Sequence, residues 1–244
     1  MHSRRLGSVK GVVFDWDGTL VDIDERELYS INQALAEHGL GAIDQEFFFQ
    51  NYYRRAWELG TGPRMVIEAA FRGKDPRIVE RAYETYRGIF SDTVDRVRLQ
   101  VGAEDLLLQL KKNGFKVGVA TMRYTRLTVE RELNALGLDG VTDALYTRQD
   151  LGAQANPLES LEETVNKRAR LVGKTLEHLG LDRSEAFLVG DSWWDIRAGK
   201  KIGLKTVMVK TGFSFHNDFT SEHPDFVVGS LDELLPGVRA RGWL

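Results

Sequence analysis

Two aspartates one residue apart follow a short apolar segment near the start of the chain. Residues 12–14, Val-Val-Phe, have the composition of a buried strand, so Asp15 and Asp17 emerge where that strand ends. Ligands bind at the carboxyl ends of strands in open α/β sheets, and Gly18 lets the chain turn sharply there. Neighbouring carboxylates need a compensating cation or a shared proton, and Mg²⁺ is the simplest partner. The alternative is a turn with two solvated acids, because Asp is common in turns.

Two more predicted strand ends carry polar side chains. The segment FKVGVATMR, residues 115–123, predicts a strand that ends at Thr121, whose hydroxyl could donate to a phosphoryl oxygen. In AFLVGDSWWD, residues 186–195, an apolar run ends before Asp191, and Asp195 follows four residues later. Both carboxylates could face the same sheet edge as the first pair, a pattern that suits a divalent ion. Asp191 could instead be a helix N-cap, a position that Asp favours.

A phosphoryl-binding site also needs a positive charge, since phosphoryl transfer depends on positioning and charge stabilisation. Lys167 is the candidate from the sequence. However, Asn-Pro at residues 156–157 predicts the start of a helix, and Lys167 would then lie in its middle. Three neighbouring basic residues could supply the charge instead: Arg168, Arg170 and Lys174.

Helices and short apolar runs alternate along most of the chain. Helix ends are predicted where a glycine precedes an apolar residue, because glycine adopts the left-handed conformation readily. These glycines are Gly39, Gly114, Gly137, Gly180 and Gly203. Apolar runs of strand length follow three of them, at residues 117–120, 186–189 and 206–209. The alternation indicates the α/β class, with a parallel sheet covered by helices on both faces.

Residues 22–97 interrupt this alternation. Apolar residues recur there at helical spacing, and the stretch contains no convincing strand. We predict an all-helical insertion at 22–97, with the core formed by residues 1–21 and 98–244. Because the insertion begins just after the aspartates, it is well placed to close over a site as a lid, although it could also serve only to enlarge the core.

The composition excludes several classes of function. The 244 residues are 42% hydrophobic, which is enough for a substantial core, and the net charge of −3 gives no reason to expect a nucleic acid or a membrane surface as partner. The chain has no cysteine, which excludes disulfides, thiolate metal sites and cysteine nucleophiles. It has no apolar run of membrane-spanning length and no apolar segment typical of a secretory signal. We therefore expect a soluble cytoplasmic protein.

The motifs resemble, in order and approximate spacing, those of the haloacid dehalogenase superfamily. They are DWDGTLVD, the strand that ends at Thr121, a basic residue and GDSWWD, and the tail PDFVVGSLDEL resembles the family's final strand and closing turn. The similarity covers essentially the whole chain. It implies a Rossmann-like three-layer core with a helical cap, and the chain resembles phosphatases of the phosphoglycolate phosphatase type.

The resemblance also implies a role for each matching residue. Asp15 would be the nucleophile that forms an aspartyl-phosphate, and Asp17 the acid and base for the leaving oxygen and the attacking water. Thr121 and Lys167 would hold the phosphoryl oxygens. Mg²⁺ would be bound by Asp15, the backbone carbonyl of Asp17 and Asp191, with support from Asp195. Relatives usually have Lys-Pro where this chain has Asn166-Lys167-Arg168, which leaves the assignment of Lys167 open.

The intact Asp-x-Asp pair favours phosphoester chemistry over dehalogenation in this superfamily. The implied enzyme is therefore a Mg²⁺-dependent phosphatase of a small phosphorylated metabolite, such as phosphoglycolate, a sugar phosphate or a nucleotide. Two alternatives are a phosphotransferase similar to β-phosphoglucomutase and a non-catalytic binding or regulatory protein with the same fold. The second is less favoured because both aspartates are present.

Overall fold

The protein is built around a six-stranded, fully parallel sheet with the strand order β5-β4-β1-β6-β7-β8. The computed structural model describes residues 9–54, 62–152 and 160–243. The strands are β1 (Gly11–Phe14), β2 (Val21–Asp22), β3 (Arg98–Leu99), β4 (Lys116–Ala120), β5 (Ala144–Tyr146), β6 (Ala186–Gly190), β7 (Lys205–Val209) and β8 (Phe226–Val228). β2 and β3 form a separate antiparallel pair. The predicted α/β class is confirmed.

Helices connect the strands and flank the sheet. Within the described residues they are α1 (Asp24–Glu37), α2 (Gln45–Phe49), α3 (Gly62–Ala70), α4 (Pro76–Asp92), α5 (Ala103–Lys112), α6 (Arg126–Ala135), α7 (Leu161–Leu179), α8 (Trp193–Lys201), α9 (Gly212–His216) and α10 (Leu234–Ala240). A π-helical turn, Gln50–Arg54, follows α2 directly. None of the helices in the described ranges is both long enough and apolar enough to cross a membrane.

The predicted helix ends agree with the structure. The five glycines singled out in the sequence all have a positive φ and follow the ends of α1, α5, α6, α7 and α8. At the other end of α7, Ser160 is the N-cap and forms a capping box with Glu163. The start predicted at residues 156–157 lies outside the described residues.

The central strand β1 separates two apolar layers because its side chains alternate between the faces of the sheet. Val12 and Phe14 pack into the cluster that contains the buried residues of α5, α6 and α10. Val13 packs on the opposite face with Leu171 and Val172 of α7. The helices therefore cover both faces of the sheet and complete the predicted three-layer core.

The helices between β2 and β3 form a packed group of their own beside the carboxyl edge of the sheet. α1 packs mainly against α4, and Ile31 and Ala82 are both fully buried. The π-helical turn contacts α9, where the rings of Tyr53 and His216 stack with their centroids 4.3 Å apart. The helical segment is thus held against the loop that follows β7, close to the strand ends.

Candidate active site

The acidic residues of the first and third motifs meet at the carboxyl edge of the sheet. β1 and β6 are neighbours, with Phe14 opposite Val189, so Asp15 and Asp191 leave the sheet side by side. Asp15, Asp191 and Asp195 are all buried, and each has an oxygen within 4.8 Å of an oxygen of the other two. Carboxylates from two distant segments of the sequence thus form one cluster.

Asp191 is oriented by hydrogen bonds from two segments. The Thr19 hydroxyl donates to Oδ1 at 2.9 Å, and the backbone N–H of Phe213 donates to Oδ2 at 2.7 Å. Gly18 has a φ of 75°, and a Cβ atom there would lie 2.5 Å from Oδ2 of Asp191. Glycine is therefore required at this turn both for its backbone conformation and for the close approach of the carboxylate.

Asp195 stabilises the start of α8 as well as contributing to the cluster. Ser192 is the N-cap of this helix, and Asp195 accepts hydrogen bonds from the backbone N–H and hydroxyl of Ser192 in a capping box. The cap position therefore belongs to Ser192, and Asp191 is not the N-cap that was the alternative interpretation.

A guanidinium from α7 faces the acidic cluster. Arg168 is fully buried, with Nε donating to Asp195 at 2.6 Å and Nη2 lying 3.0 Å from Oδ1 of Asp15. Lys167 precedes it on the same helix, about 100° away around the helix axis, and is half-buried. The basic residue beside Asp15 is thus Arg168, one of the alternatives to Lys167 from the sequence.

The charges of this cluster suit a divalent cation. Among the described residues, three buried carboxylates face one buried guanidinium, which leaves two negative charges uncompensated. Burial, together with the nearby charge of Asp195, raises the pKa of Asp191 to about 8. Burial also raises the pKa of Asp15 well above its usual range, and Arg168 offsets only part of this shift. Oxygen ligands with surplus negative charge are the donor set that Mg²⁺ prefers.

Thr121 and Asp17 lie at the same edge, on the other side of Asp15. Thr121 follows β4, its backbone N–H donates to the carbonyl of Tyr146 at 2.9 Å, and it is 1% exposed. The side chain of Asp17 is 28% exposed and accepts hydrogen bonds from Nε of Arg123 at 2.8 and 3.0 Å. Asp17 is therefore the more accessible of the two aspartates, and it has an arginine of its own.

The residues behind Asp17 were not predicted from the sequence. Glu132 of α6 is fully buried and accepts hydrogen bonds from Trp16 and Arg26, each at 2.7 Å, and from Arg123. Glu27 follows Arg26 in α1 and is also buried. Burial raises the pKa of Glu27 to about 8, while a hydrogen bond from Tyr86 at 2.6 Å opposes the shift. Arg123 could have been noticed, because it lies two residues after Thr121 in the second motif. Glu132 carried no signal, since a glutamate within a polar helix usually faces solvent.

Comparison with known proteins places this geometry in a family. Residues 12–209 match the family model described as haloacid dehalogenase-like hydrolase. The pyrophosphatase PpaX of Bacillus cereus is 29% identical over 93% of this chain and 95% of its own length. The phosphoglycolate phosphatase of Yersinia pestis is 28% identical over 96% of this chain and 95% of its own length.

Solved structures show the same fold at lower identity. A haloacid dehalogenase-like hydrolase from Streptococcus pneumoniae has a TM-score of 0.70 at 18% identity and covers 94% of this chain and 98% of its own. CbbY from Rhodobacter sphaeroides, solved in complex with phosphate, has a TM-score of 0.68 at 22% identity and covers 93% of this chain and 96% of its own. The family match and the relatives named phosphatases confirm the predicted class of enzyme. The chain belongs to the haloacid dehalogenase-like hydrolases.

Proposed function

We propose that this hydrolase is a Mg²⁺-dependent phosphatase that acts on a small phosphomonoester through an aspartyl-phosphate. One observation carries the proposal: three buried carboxylates, from Asp15, Asp191 and Asp195, share the sheet edge with one guanidinium in the described part of the chain. The surplus of negative charge suits a divalent cation, and Asp15 is close enough to the edge to serve as a nucleophile.

Two proton transfers by Asp17 complete the proposed reaction. An oxygen of Asp15 attacks phosphorus, the bond from phosphorus to the leaving oxygen breaks, and Asp17 gives that oxygen its proton so that an alcohol departs. Water then attacks the same phosphorus atom, Asp17 takes its proton, and the bond between phosphorus and Asp15 breaks to release phosphate. The greater exposure of Asp17 supports this role, since it must reach both the leaving group and water.

Two residues are proposed to hold the phosphoryl oxygens, the hydroxyl of Thr121 and the guanidinium of Arg168. We assign Arg168 rather than Lys167 because its Nη2 atom is 3.0 Å from Oδ1 of Asp15. Asp15, the backbone carbonyl of Asp17 and Asp191 would hold Mg²⁺, with Asp195 in support. The bound ion would neutralise charge on the phosphoryl oxygens.

Residues 22–97 are proposed to be the cap that shields the reaction from water and selects the substrate. The contact between the π-helical turn and α9 supports this assignment, because it joins the helical segment to the loop that orients Asp191. A small phosphorylated metabolite is the proposed substrate, in agreement with relatives named phosphoglycolate phosphatase and pyrophosphatase.

Phosphate release from a panel of small phosphorylated compounds tests the proposal. The panel contains phosphoglycolate, pyrophosphate, sugar phosphates and nucleotides, each assayed with Mg²⁺ and with EDTA. We expect release that requires Mg²⁺ and that falls by about 10⁴-fold or more in Asp15→Asn, as for other catalytic nucleophiles. The Tm of this variant should not fall, because the substitution removes a negative charge from an acidic cluster.

Asp22→Asn is the matched control, since Asp22 is an exposed aspartate of the same segment. It should retain wild-type turnover. Release that persists in Asp15→Asn, or that is unaffected by EDTA, would contradict the proposed chemistry. Transfer of phosphate between substrates without net release would instead indicate a mutase.

A further inference from the structure

We propose that Arg123 is a positioning residue for Asp17 and that the buried carboxylate of Glu132 fixes Arg123 for this task. The inference rests on the proposed function, in which Asp17 moves a proton to and from the reacting oxygens. Arg123 and Glu132 are not part of the acidic cluster and had no role assigned from the motifs, and they form a second charge network beside the first.

The contact between Arg123 and Asp17 fixes the orientation of the carboxylate. Nε of Arg123 donates to Oδ1 at 3.0 Å and to Oδ2 at 2.8 Å, and Nη2 forms an ion pair with Oδ1. The planar guanidinium restricts rotation of the carboxylate more than a single donor would. Within the described residues, Oδ2 accepts only the bond from Nε. Since each carboxylate oxygen has two lone-pair directions, Oδ2 keeps one for the transferred proton.

Glu132 holds the other side of the guanidinium. The side chain of Arg123 is 10% exposed, and its Nη1 donates to Oε1 of Glu132, which is fully buried. Oε1 also accepts from Arg26 at 2.7 Å, and Oε2 accepts from the indole of Trp16 at 2.7 Å. Trp16 lies between the two aspartates in the sequence, so its hydrogen bond also connects the strand end that carries them to Glu132.

The network is electrically neutral when Asp17 is ionised. The carboxylates of Asp17 and Glu132 then meet two guanidiniums, Arg26 and Arg123, so the charges of this group balance without a metal ion. The cluster around Asp15 differs, since it has two uncompensated negative charges among the described residues. Arg123 and Glu132 can therefore hold Asp17 in position whether or not the acidic cluster binds a cation.

Helices of the insertion also brace this network. Arg26 of α1 donates to the backbone carbonyl of Phe90 in α4, and its guanidinium lies over the Phe90 ring, 4.0 Å from the centroid. The guanidinium of Arg123 lies 4.9 Å from the centroid of the same ring. Glu132 is thus held by Arg26 of α1 and by Trp16 at the strand end, and its carboxylate in turn restricts the position of Arg123.

The test compares two substrates of similar shape, phenyl phosphate and 4-nitrophenyl phosphate, which differ in how much the leaving oxygen needs a proton. Phenolate is the poorer leaving group, so loss of a well-placed acid reduces kcat/KM for phenyl phosphate more than for 4-nitrophenyl phosphate. We expect Arg123→Met and Glu132→Gln to lower kcat/KM for phenyl phosphate about 10-fold more than for 4-nitrophenyl phosphate, a part of the usual contribution of acid catalysis. Arg123→Lys should recover part of the loss.

Asp17→Asn is the reference variant, and Glu130→Gln, an exposed position on the same helix, is the matched control. If wild-type protein releases no phosphate, or Asp17→Asn shows no preference for the better leaving group, the proposed function fails. If Asp17→Asn shows the preference but Arg123→Met lowers kcat/KM equally for both substrates, the positioning role is overturned and Arg123 instead binds the phosphoryl group or supports the fold.

Removal of the negative charge of Glu132 leaves two buried guanidiniums less compensated, so Glu132→Gln could fail to fold. In that case Arg123→Met decides the question, because Glu132 stays paired with Arg26 and Trp16 in that variant. A selective loss with the poorer leaving group supports the proposal, and an equal loss with both substrates overturns it. Thermal melts of both variants identify which case applies.

Discussion

Asp15 and Asp17 are two residues apart but lie in different electrostatic environments. Asp15 is buried beside Asp191 and Asp195, and Arg168 compensates only part of that negative charge. Asp17 is more exposed and is held by Arg123, which lies in the loop between β4 and α6. A nucleophile must remain unprotonated next to a cation, whereas an acid and base must reach the leaving group and water. The two environments match these different requirements.

Separate substitutions of Arg168 and Lys167 test which of the two basic residues belongs to the site. We expect Arg168→Met to lower kcat/KM by at least about 100-fold, because a buried, charge-assisted contact with the nucleophile and the phosphoryl group is lost. Lys167→Met should change kcat/KM by less than about 3-fold, since a half-buried residue of this helix contributes at most a modest electrostatic effect. Steady-state kinetics on the best substrate of the panel measures both.

The stability of the Arg168 variant provides the accompanying control. Removal of Arg168 leaves Asp15 and Asp195 buried without their guanidinium, and breaking such a pair costs about 3–5 kcal/mol of unfolding free energy. Excess Mg²⁺ should recover part of that loss if the cluster binds the ion. A Lys167 variant that loses more activity than the Arg168 variant would restore the assignment made from the sequence.

The elements of the core could be predicted because their signals are local. Apolar runs after helix-ending glycines predicted β4, β6 and β7 close to their observed bounds, and the apolar run before Asp15 predicted β1. β5 was not predicted, because a strand of three residues, Ala144–Tyr146, has no period to detect. These local signals were enough to bring Asp15, Thr121 and Asp191 to one edge of the sheet.

The residues that the sequence did not reveal depend on packing between elements. One position on a helix changes the direction of a side chain by about 100°, so the choice between Lys167 and Arg168 depends on how α7 packs on the sheet. Leu171 and Val172 determine that packing, and they turn Arg168 inward. Glu132 is a similar case, because its partners Trp16 and Arg26 are more than 100 residues away in the sequence.

Glu27, which is buried where α1 packs against α4, should make the stability of the protein depend on pH. Burial raises the pKa of Glu27 to about 8 from its usual 4.5. Below pH 4.5 both the folded and the unfolded state bind this proton, so Glu27 adds no pH dependence there. Between pH 4.5 and pH 8 the unfolded state releases the proton while the folded state keeps it, so the unfolding free energy falls as the pH rises. We expect the unfolding free energy of the wild type to fall by up to about 4 kcal/mol more than that of Glu27→Gln between pH 5 and pH 8.

Urea unfolding at several pH values measures this difference. Glu25→Gln is the matched control, because Glu25 is an exposed residue of the same helix. It should keep the pH dependence of the wild type. Parallel curves for wild type and Glu27→Gln would show that Glu27 is ionised in the folded protein at neutral pH, with its charge compensated by Arg26 or Arg123.

At the scale of the whole molecule, the sheet brings together acidic residues from two distant segments of the sequence. The net charge of the chain is only −3, yet two uncompensated negative charges of the described residues lie within one buried cluster at the strand ends. The fold concentrates this charge because β1 and β6 are adjacent and parallel, so both acidic motifs leave the sheet at the same edge. Folding without a cation must therefore protonate part of the cluster or accept the repulsion.

This concentration of charge predicts how Mg²⁺ should affect the stability of the whole protein. Burial raises the pKa of Asp191 to about 8, so without metal the folded state holds a proton there and loses stability as the pH rises from about 4 to 8. Mg²⁺ replaces that proton, so its binding strengthens over the same range. At a concentration 100 times its Kd, Mg²⁺ should add about 2.7 kcal/mol to the unfolding free energy.

Thermal melts at pH 6 and pH 8, each with Mg²⁺ and with EDTA, measure the effect. We expect Mg²⁺ to raise the Tm more at pH 8 than at pH 6, because fewer protons compete for the carboxylates at the higher pH. Asp191→Asn should reduce the response at both pH values, while the Tm in EDTA should not fall, since an amide at this position is uncharged without binding a proton. If Mg²⁺ raises the Tm of Asp191→Asn as much as that of the wild type, the ion binds elsewhere. The charge surplus at the strand ends would then have to be balanced by protons alone.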